Sequence, residues 1–337
     1  MKALVYTGTR QIEIQDIPKP ESGDDGVIVK VAAAGICGSE VEAYLGRSRK
    51  RVPPLVMGHE FTGTVDSVGE AVDGVSVGDR VVVQPLFACG ECPECLTGRS
   101  NICRNRKLMS IEIPGGYAEY AAVPASALFD LPEAVPFEVG ILAEPLSNGV
   151  HILERTDYRI LERLVVLGGG TIGALVMMAA RAIGITNVVV TEPNPARRQK
   201  LAQLGAEFVL DPFADDALQR VLDWSGGGAD VVVDASGAAQ ARKFAVECVH
   251  PGATIVLVGQ GSGASDADHR DILTKELVIK GSYGYTDDDF ARAIQLLASG
   301  RVDGASIVRS ISMEESPAAF AQLADDAGAD IKLVMAL

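Results

Sequence analysis

Short runs in which apolar and polar residues alternate fill about the first 125 positions and predict a β-rich region. The expected strands are Lys2–Tyr6, Gln11–Ile17, Val27–Val31, Phe61–Val68, Asp79–Pro85 and Tyr117–Val123. Clusters such as Gly23-Asp24-Asp25-Gly26 and Asp73-Gly74 supply the turns between them. After Pro145 the period changes. Short apolar runs at Leu164–Leu167, Val188–Glu192, Glu207–Leu210, Asp230–Ala235, Ala253–Val258 and Leu277–Ser282 alternate with amphipathic stretches such as Ala196–Leu204, which stops at Gly205. Strands joined by helical crossovers in this way specify an α/β fold with a doubly wound, six-stranded parallel sheet. From about Thr286 the pattern returns to a helix, Asp288–Ala298, and closing strands that end with Ile331–Val334.

The 337 residues, 47% hydrophobic and 22% charged, suffice for two folded domains and exclude disorder over most of the length. Acidic residues outnumber basic ones 45 to 30, and the net charge of −15 disfavours non-specific binding to nucleic acid or to an anionic membrane. No uninterrupted apolar run reaches the ~18 residues of a membrane span. The opening MKALVYTGTRQIEIQ has no apolar core followed by a cleavage site. A soluble, cytoplasmic protein is expected.

Chemistry enters with the glycines. Leu164-Val-Val-Leu ends a strand, and Gly168, Gly169, Gly170, Thr171, Ile172 and Gly173 lead into a helix. Gly168 suits the tight turn, Gly170 the close approach of a pyrophosphate, and Gly173 the packing of helix on strand. The helix N-terminus then offers free N–H groups to the phosphates. Glu192, at the end of the next strand, suits the hydroxyls of an adenosine ribose and repels a 2′-phosphate, so NAD is expected rather than NADP. Arg197 and Arg198 lie close enough in sequence to oppose that preference.

Four of the six cysteines, Cys89, Cys92, Cys95 and Cys103, fall within fifteen residues. In a cytosolic chain such spacing reads as a closed tetrahedral zinc site, structural because it leaves no position for substrate. A second set is dispersed: Cys37, His59 with Glu60, and Glu144. Each alone has an ordinary reading, as a core thiol, a satisfied histidine or an exposed acid.

Taken together, the sequence resembles the zinc-dependent medium-chain dehydrogenases, in the sorbitol, polyol and threonine dehydrogenase branch. The resemblance runs the whole length, through Gly35-Ile-Cys-Gly-Ser39, Gly58-His-Glu-Phe-Thr-Gly63, Val77-Gly-Asp-Arg-Val81, the cysteine loop, Gly115-Gly-Tyr-Ala-Glu-Tyr120, Glu144-Pro-Leu-Ser147 and the glycine turn. It implies a GroES-like catalytic domain over residues 1–146, rejoined by 286–337, and a Rossmann NAD-binding domain over 147–285. By position it implies a catalytic zinc held by Cys37, His59 and either Glu60 or Glu144, its open position facing the substrate oxygen. Two zincs per chain and one NAD follow, with hydride passing from a secondary alcohol to the nicotinamide. Ser39 falls where the family relays the alcohol proton. Glu42 stands where polyol and threonine dehydrogenases carry histidine, and Glu40 replaces the usual aspartate that orients the zinc histidine. Expected substrates are polyols, sugar alcohols, phosphorylated polyols or an L-threonine-like amino alcohol; a non-catalytic dinucleotide-binding zinc protein is the reading of another class. A homodimer or homotetramer is implied.

Other features have plainer readings. Arg47-Ser-Arg-Lys-Arg51 is either a solvated loop or an attractor for an anionic substrate. His151, His250 and His269 read as structural or surface residues, Cys248 as buried in a helix over Ala239–Val249, and Tyr44 and Tyr117 as pocket residues. Lys332 reads as a contact to cofactor phosphates or as an exposed strand residue.

Overall fold

Gly26–Gly35, the longest strand, is built from Val27, Ile28, Val29, Val31, Ala33 and Ala34, all buried. β-branched residues suit a pleated surface covered on both sides. The strand runs past Val31, where its β-branched residues give way to alanines, because neighbours continue to pair with it. Glu60–Val68 pairs antiparallel along nearly its whole length, while Tyr120–Pro124 takes its first half and Lys332–Ala336 its last three residues. In this computed structural model, which describes residues 1–156, 162–261, 263–326 and 328–337, these strands belong to a seven-stranded sheet. It continues through Arg80–Val83 and Leu128–Asp130 on one side and Val308–Ser312 on the other. A smaller sheet of Gln11–Asp16, Lys2–Gly8 and Leu55–Val56 shares its core, in which Leu4, Met57, Phe61, Tyr117 and Phe320 are fully or almost fully buried.

The second region is the expected six-stranded parallel sheet. Its order is Phe208–Leu210, Val188–Thr191, Leu164–Leu167, Ala229–Asp234, Val249–Leu257 and Val278–Gly281. The sheet starts at Leu164–Leu167 and winds outward in both directions, the dinucleotide-binding order. The central strands are apolar on both faces, as a sheet sandwiched by helices requires.

The chain divides into two compact units, Met1–Glu144 with Ala293–Leu337, and Pro145–Arg292. The return crossing falls inside the helix Asp287–Ala298 rather than before it. Its first turns are held by the helix Ala143–Glu154: His151 Nδ1 lies 2.8 Å from Asp289 Oδ2, and Arg292 pairs with Glu154 at 2.5 Å.

Candidate metal centres and dinucleotide site

The dispersed set is gathered by strand register. Gly35 pairs directly with Glu60 in the antiparallel ladder, so Cys37, two residues beyond one strand, and His59, one residue before the other, emerge at the same end. Donor atoms of Cys37, His59 and Glu60 all lie within 4.8 Å of one another. Thiolate, imidazole and carboxylate form a donor set suited to zinc, with a fourth position to spare. Glu144, in the first turn of Ala143–Glu154 and buried, is outside that set.

Glu40 underlies this cluster. It sits in the helix Gly38–Tyr44, which starts directly after Cys37, and it is fully buried. Its Oε1 accepts from Gly58 N at 2.8 Å, His59 N at 3.2 Å and Ser110 Oγ at 3.1 Å, and lies 2.8 Å from His59 Nδ1. Its Oε2 accepts from Cys37 N at 3.3 Å and from the Tyr117 hydroxyl, which also lies 3.0 Å from Gly35 O. Burial pushes the carboxyl up. The charge and hydrogen bond of His59, the Arg51 guanidinium and Tyr117 outweigh burial and hold Glu40 well below the usual carboxylate range. Burial likewise lowers the His59 imidazole, but Glu40 and Cys37 together carry it well above its ordinary value. The extra methylene of Glu40, relative to aspartate, therefore still reaches the imidazole.

Arg51 corrects the view of residues 47–51 as a uniformly solvated loop. It is buried, donating from Nε to Ser110 Oγ at 3.1 Å and from its terminal nitrogen to Ser39 O at 3.3 Å. Lys332 is likewise no exposed strand residue: it is 2% exposed, donates to Ile36 O at 3.0 Å and forms an ion pair with Glu60. Burial lowers the ammonium, but Glu60, Cys37 and Glu144 raise it further. The pair occupies the space that a side chain on Gly35 would fill, since a Cβ there would fall 2.3 Å from Glu60 Oε2 and 2.8 Å from Lys332 Cε. Tyr117 and Tyr44 are both core residues, meeting the Phe320 ring edge-on and at a tilt respectively. Sequence reasoning missed Ser110, Tyr117 and Arg51 as partners of Glu40; a buried Ser110 at φ +67° carries no sequence signal.

Ser39 is exposed and donates from Oγ to Cys37 Sγ at 3.4 Å. Glu42, one turn further along the helix, is exposed and paired with Arg47 at 3.1 Å.

In the cysteine loop all four thiols are free and converge. Cys92 Sγ lies 3.4 Å from Cys95 Sγ and 3.7 Å from Cys103 Sγ, which is 3.5 Å from Cys89 Sγ. These separations approach the about 3.8 Å edge of a sulfur tetrahedron with metal–sulfur bonds near 2.3 Å. Backbone N–H groups of Glu91 and Cys92 lead in pushing Cys89 down to about 6, while burial and the neighbouring thiols push Cys95 up to about 12. Four thiolates packed this closely would repel one another unless a cation sat among them.

In the second unit, Gly168 turns at φ +100°, and a Cβ on Gly173 would fall 1.8 Å from Gly168 O. These are the turn and packing positions anticipated for a phosphate-binding loop. Thr171 and Ile172 open the helix Thr171–Ala182, and Gly170 has open space around its Cβ direction. Glu192 is buried, accepting from Gly169 N at 3.0 Å and from Asn194 N at 2.9 Å. Arg197 is paired with Glu192 at 3.6 Å, and Arg198 donates to Glu192 O, Pro193 O and Asp211.

Known proteins resemble this chain over most of its length. Residues 23–133 match the alcohol dehydrogenase GroES-like domain and residues 171–299 the zinc-binding dehydrogenase domain. A 2-dehydro-3-deoxy-L-galactonate 5-dehydrogenase of Pseudoalteromonas atlantica is 37% identical, covering 96% of this chain and 95% of its own. The sorbitol dehydrogenase of Bacillus subtilis is 32% identical over 91% of this chain and 89% of its own. Among solved structures, an Escherichia coli alcohol dehydrogenase complexed with NADH superposes with a TM-score of 0.93 at 28% identity, covering 100% of this chain and 99% of the other. The chain belongs to the zinc-dependent medium-chain alcohol dehydrogenase family, with the family's GroES-like and Rossmann folds. It is a dehydrogenase, and no helix among the described residues is long and apolar enough to cross a membrane.

Proposed function

We propose that this chain oxidises a secondary alcohol of a polyol, sugar alcohol or related hydroxy compound, using NAD and two zinc ions per chain. One observation carries the reading: Cys37, His59 and Glu60 converge within 4.8 Å at the end of two paired strands. When bound, zinc supplies the Lewis acidity that makes a hydroxyl acidic near neutral pH, and NAD supplies the hydride acceptor. We assign Cys37 and His59 as ligands with Glu60 as the third, because it and not Glu144 is within donor distance. Cys89, Cys92, Cys95 and Cys103 would hold the structural ion.

Around these groups the chain's own residues have separable tasks. Glu40 holds the His59 ring by Nδ1 and leaves the other nitrogen toward Cys37. Lys332 pairs with Glu60 and fixes its approach. Ser39 Oγ, exposed beside Cys37, relays the substrate hydroxyl's proton, accepting it as it passes its own on toward the exposed Glu42 carboxylate. In the second unit the turn at Gly168, Gly169 and Gly170 receives the pyrophosphate, and Glu192 meets the adenosine ribose. NAD is favoured because the two arginines able to hold a 2′-phosphate are already engaged with Glu192, its backbone and Asp211. The free thiols suit a reducing compartment, and we place the protein in the cytoplasm as a homodimer or homotetramer.

The test joins metal analysis to an activity panel of polyols, cyclitols, amino alcohols and sugar phosphates with NAD and NADP. About two zincs per chain, and NAD reduced faster than NADP, are expected. About one zinc, matching the cysteine loop alone, with no turnover across the panel would overturn the catalytic reading.

A further inference from the structure

The basic loop that follows the helix Gly38–Tyr44 is held against the metal cluster. Arg47 N donates to Glu42 O near the end of that helix, and the Arg51 guanidinium reaches Ser39 O near its start. From residue 47 to residue 51 the loop therefore runs back along the helix toward Cys37. It is pinned from within: Ser48 Oγ accepts from Lys50 N at 3.3 Å and from Arg51 N at 3.2 Å, and Arg51 Nε bonds Ser110 Oγ, which itself bonds Glu40. Its charges divide into three kinds. Arg51 is buried and structural, and Arg47 is spent on Glu42. Arg49 and Lys50 are exposed, with no carboxylate partner among the described residues. In a chain of net charge −15, two unspent cations on an anchored loop beside Ser39 are a local reversal of sign.

We propose that Arg49 and Lys50 recognise an oxyanion carried by the substrate, so that the alcohol oxidised is a polyhydroxy compound ending in a carboxylate or a phosphate. The assignment rests on the dehydrogenase reading above and refines its substrate. The bonds of Arg51 to Ser39 and Ser110 tie the end of the loop to residues that surround the cluster. A cationic pair there grips the charged end of a substrate whose hydroxyl lies at the Cys37–His59–Glu60 end.

The experiment compares stereoisomeric hexitols with the corresponding hexonates and hexitol phosphates, as substrates of the zinc-loaded enzyme with NAD. At least one anionic series is expected to exceed its neutral counterpart at least tenfold in kcat/KM, mainly through KM, and the faster series tells carboxylate from phosphate. In the Arg49→Ala/Lys50→Ala double variant the ratio of anionic to neutral kcat/KM should fall about tenfold, and Arg49→Lys should retain most of it. A loop of merely structural importance lowers both classes equally and leaves the ratio unchanged, which overturns the proposal. Neutral hexitols oxidised as well as the anions overturn it too while leaving the dehydrogenase reading intact. Failure of all three series to reduce NAD removes the underlying reading instead.

Discussion

Glu40 shows how much one residue can contribute to the cluster of Cys37, His59 and Glu60 proposed to hold a metal. A buried carboxylate is tolerable only when its lone pairs are filled and its charge is met, and Glu40 gathers donors from Cys37, Gly58, His59, Ser110 and Tyr117. Replacing it by glutamine keeps the size, removes the charge beside His59 and leaves Arg51 facing a neutral amide. Partners of this kind change metal affinity by about 10–100-fold. Dialysis of Glu40→Gln against a weak chelator should therefore strip the Cys37–His59–Glu60 ion and leave the loop ion, taking the zinc content from about two toward about one. Glu40→Asp should lie between, because the shorter chain cannot serve His59 and Tyr117 together. Wild-type metal retention in Glu40→Gln would show that the carboxylate is a packing feature only.

At the level of elements, legibility followed locality. The glycine turn at 168–173 and the four-cysteine loop are contiguous, so turn chemistry and ligand spacing declare them before any folding is considered. All six parallel strands lie within a few residues of the apolar runs that predict them; the central ones are continuous runs because both faces are buried, whereas the edge strand Val278–Gly281 is largely exposed. Register is different. That Gly35 faces Glu60 depends on two bulges between the strands, and nothing local encodes them. Ser110 and Tyr117, two of the partners of Glu40, lie 70 and 77 residues away, beyond any periodicity. Lys332 failed for a related reason: lysine in a terminal strand ordinarily faces water, and only the room over Gly35 permits its burial against Glu60.

The helix Asp287–Ala298 offers a pH test at the same scale. Thr286 precedes it, and Asp289 Oδ2 accepts from Thr286 N at 2.9 Å and Thr286 Oγ1 at 2.7 Å as well as facing His151. Burial raises the Asp289 carboxyl, but His151 and Thr286 outweigh it and set it below its ordinary 3.8. A carboxylate lowered on folding stabilises fully above its unfolded value and loses that contribution as pH falls through the folded one. Asp289→Asn should cost about 1 kcal/mol at neutral pH, the scale of a lost helix cap. In urea titrations the gap from wild type should narrow below about pH 4. A gap constant down to pH 3 would mean that the ionised form is not what matters.

For the whole molecule, the unfinished feature is an edge. Val278–Gly281 ends the parallel sheet, paired on one side only among the described residues, with Val278 and Ile279 each 43% exposed. Leu273 and Tyr283, on either side of it, are exposed as well. Proteins usually blunt such an edge with charge or cover it. A second copy related by a two-fold axis would lay the same strand antiparallel to itself and bury the same residues from both chains, a closed arrangement that cannot grow into a fibre. The acidic surface opposes the meeting: two chains of −15 repel, so apolar burial at the edge has to exceed that repulsion. Screening over roughly 10 Å at 0.1 M salt removes much of the opposing term and leaves the apolar one. Association should therefore tighten as salt rises, the reverse of an interface held by ion pairs. In sedimentation velocity Ile279→Lys should shift the population toward the monomer and make the remaining association weaker still at low salt. Phe213→Ser, an exposed aromatic away from this edge, should leave the mass distribution as it was. An Ile279→Lys protein that sediments like the wild type at every salt concentration would rule this edge out as a contact between copies.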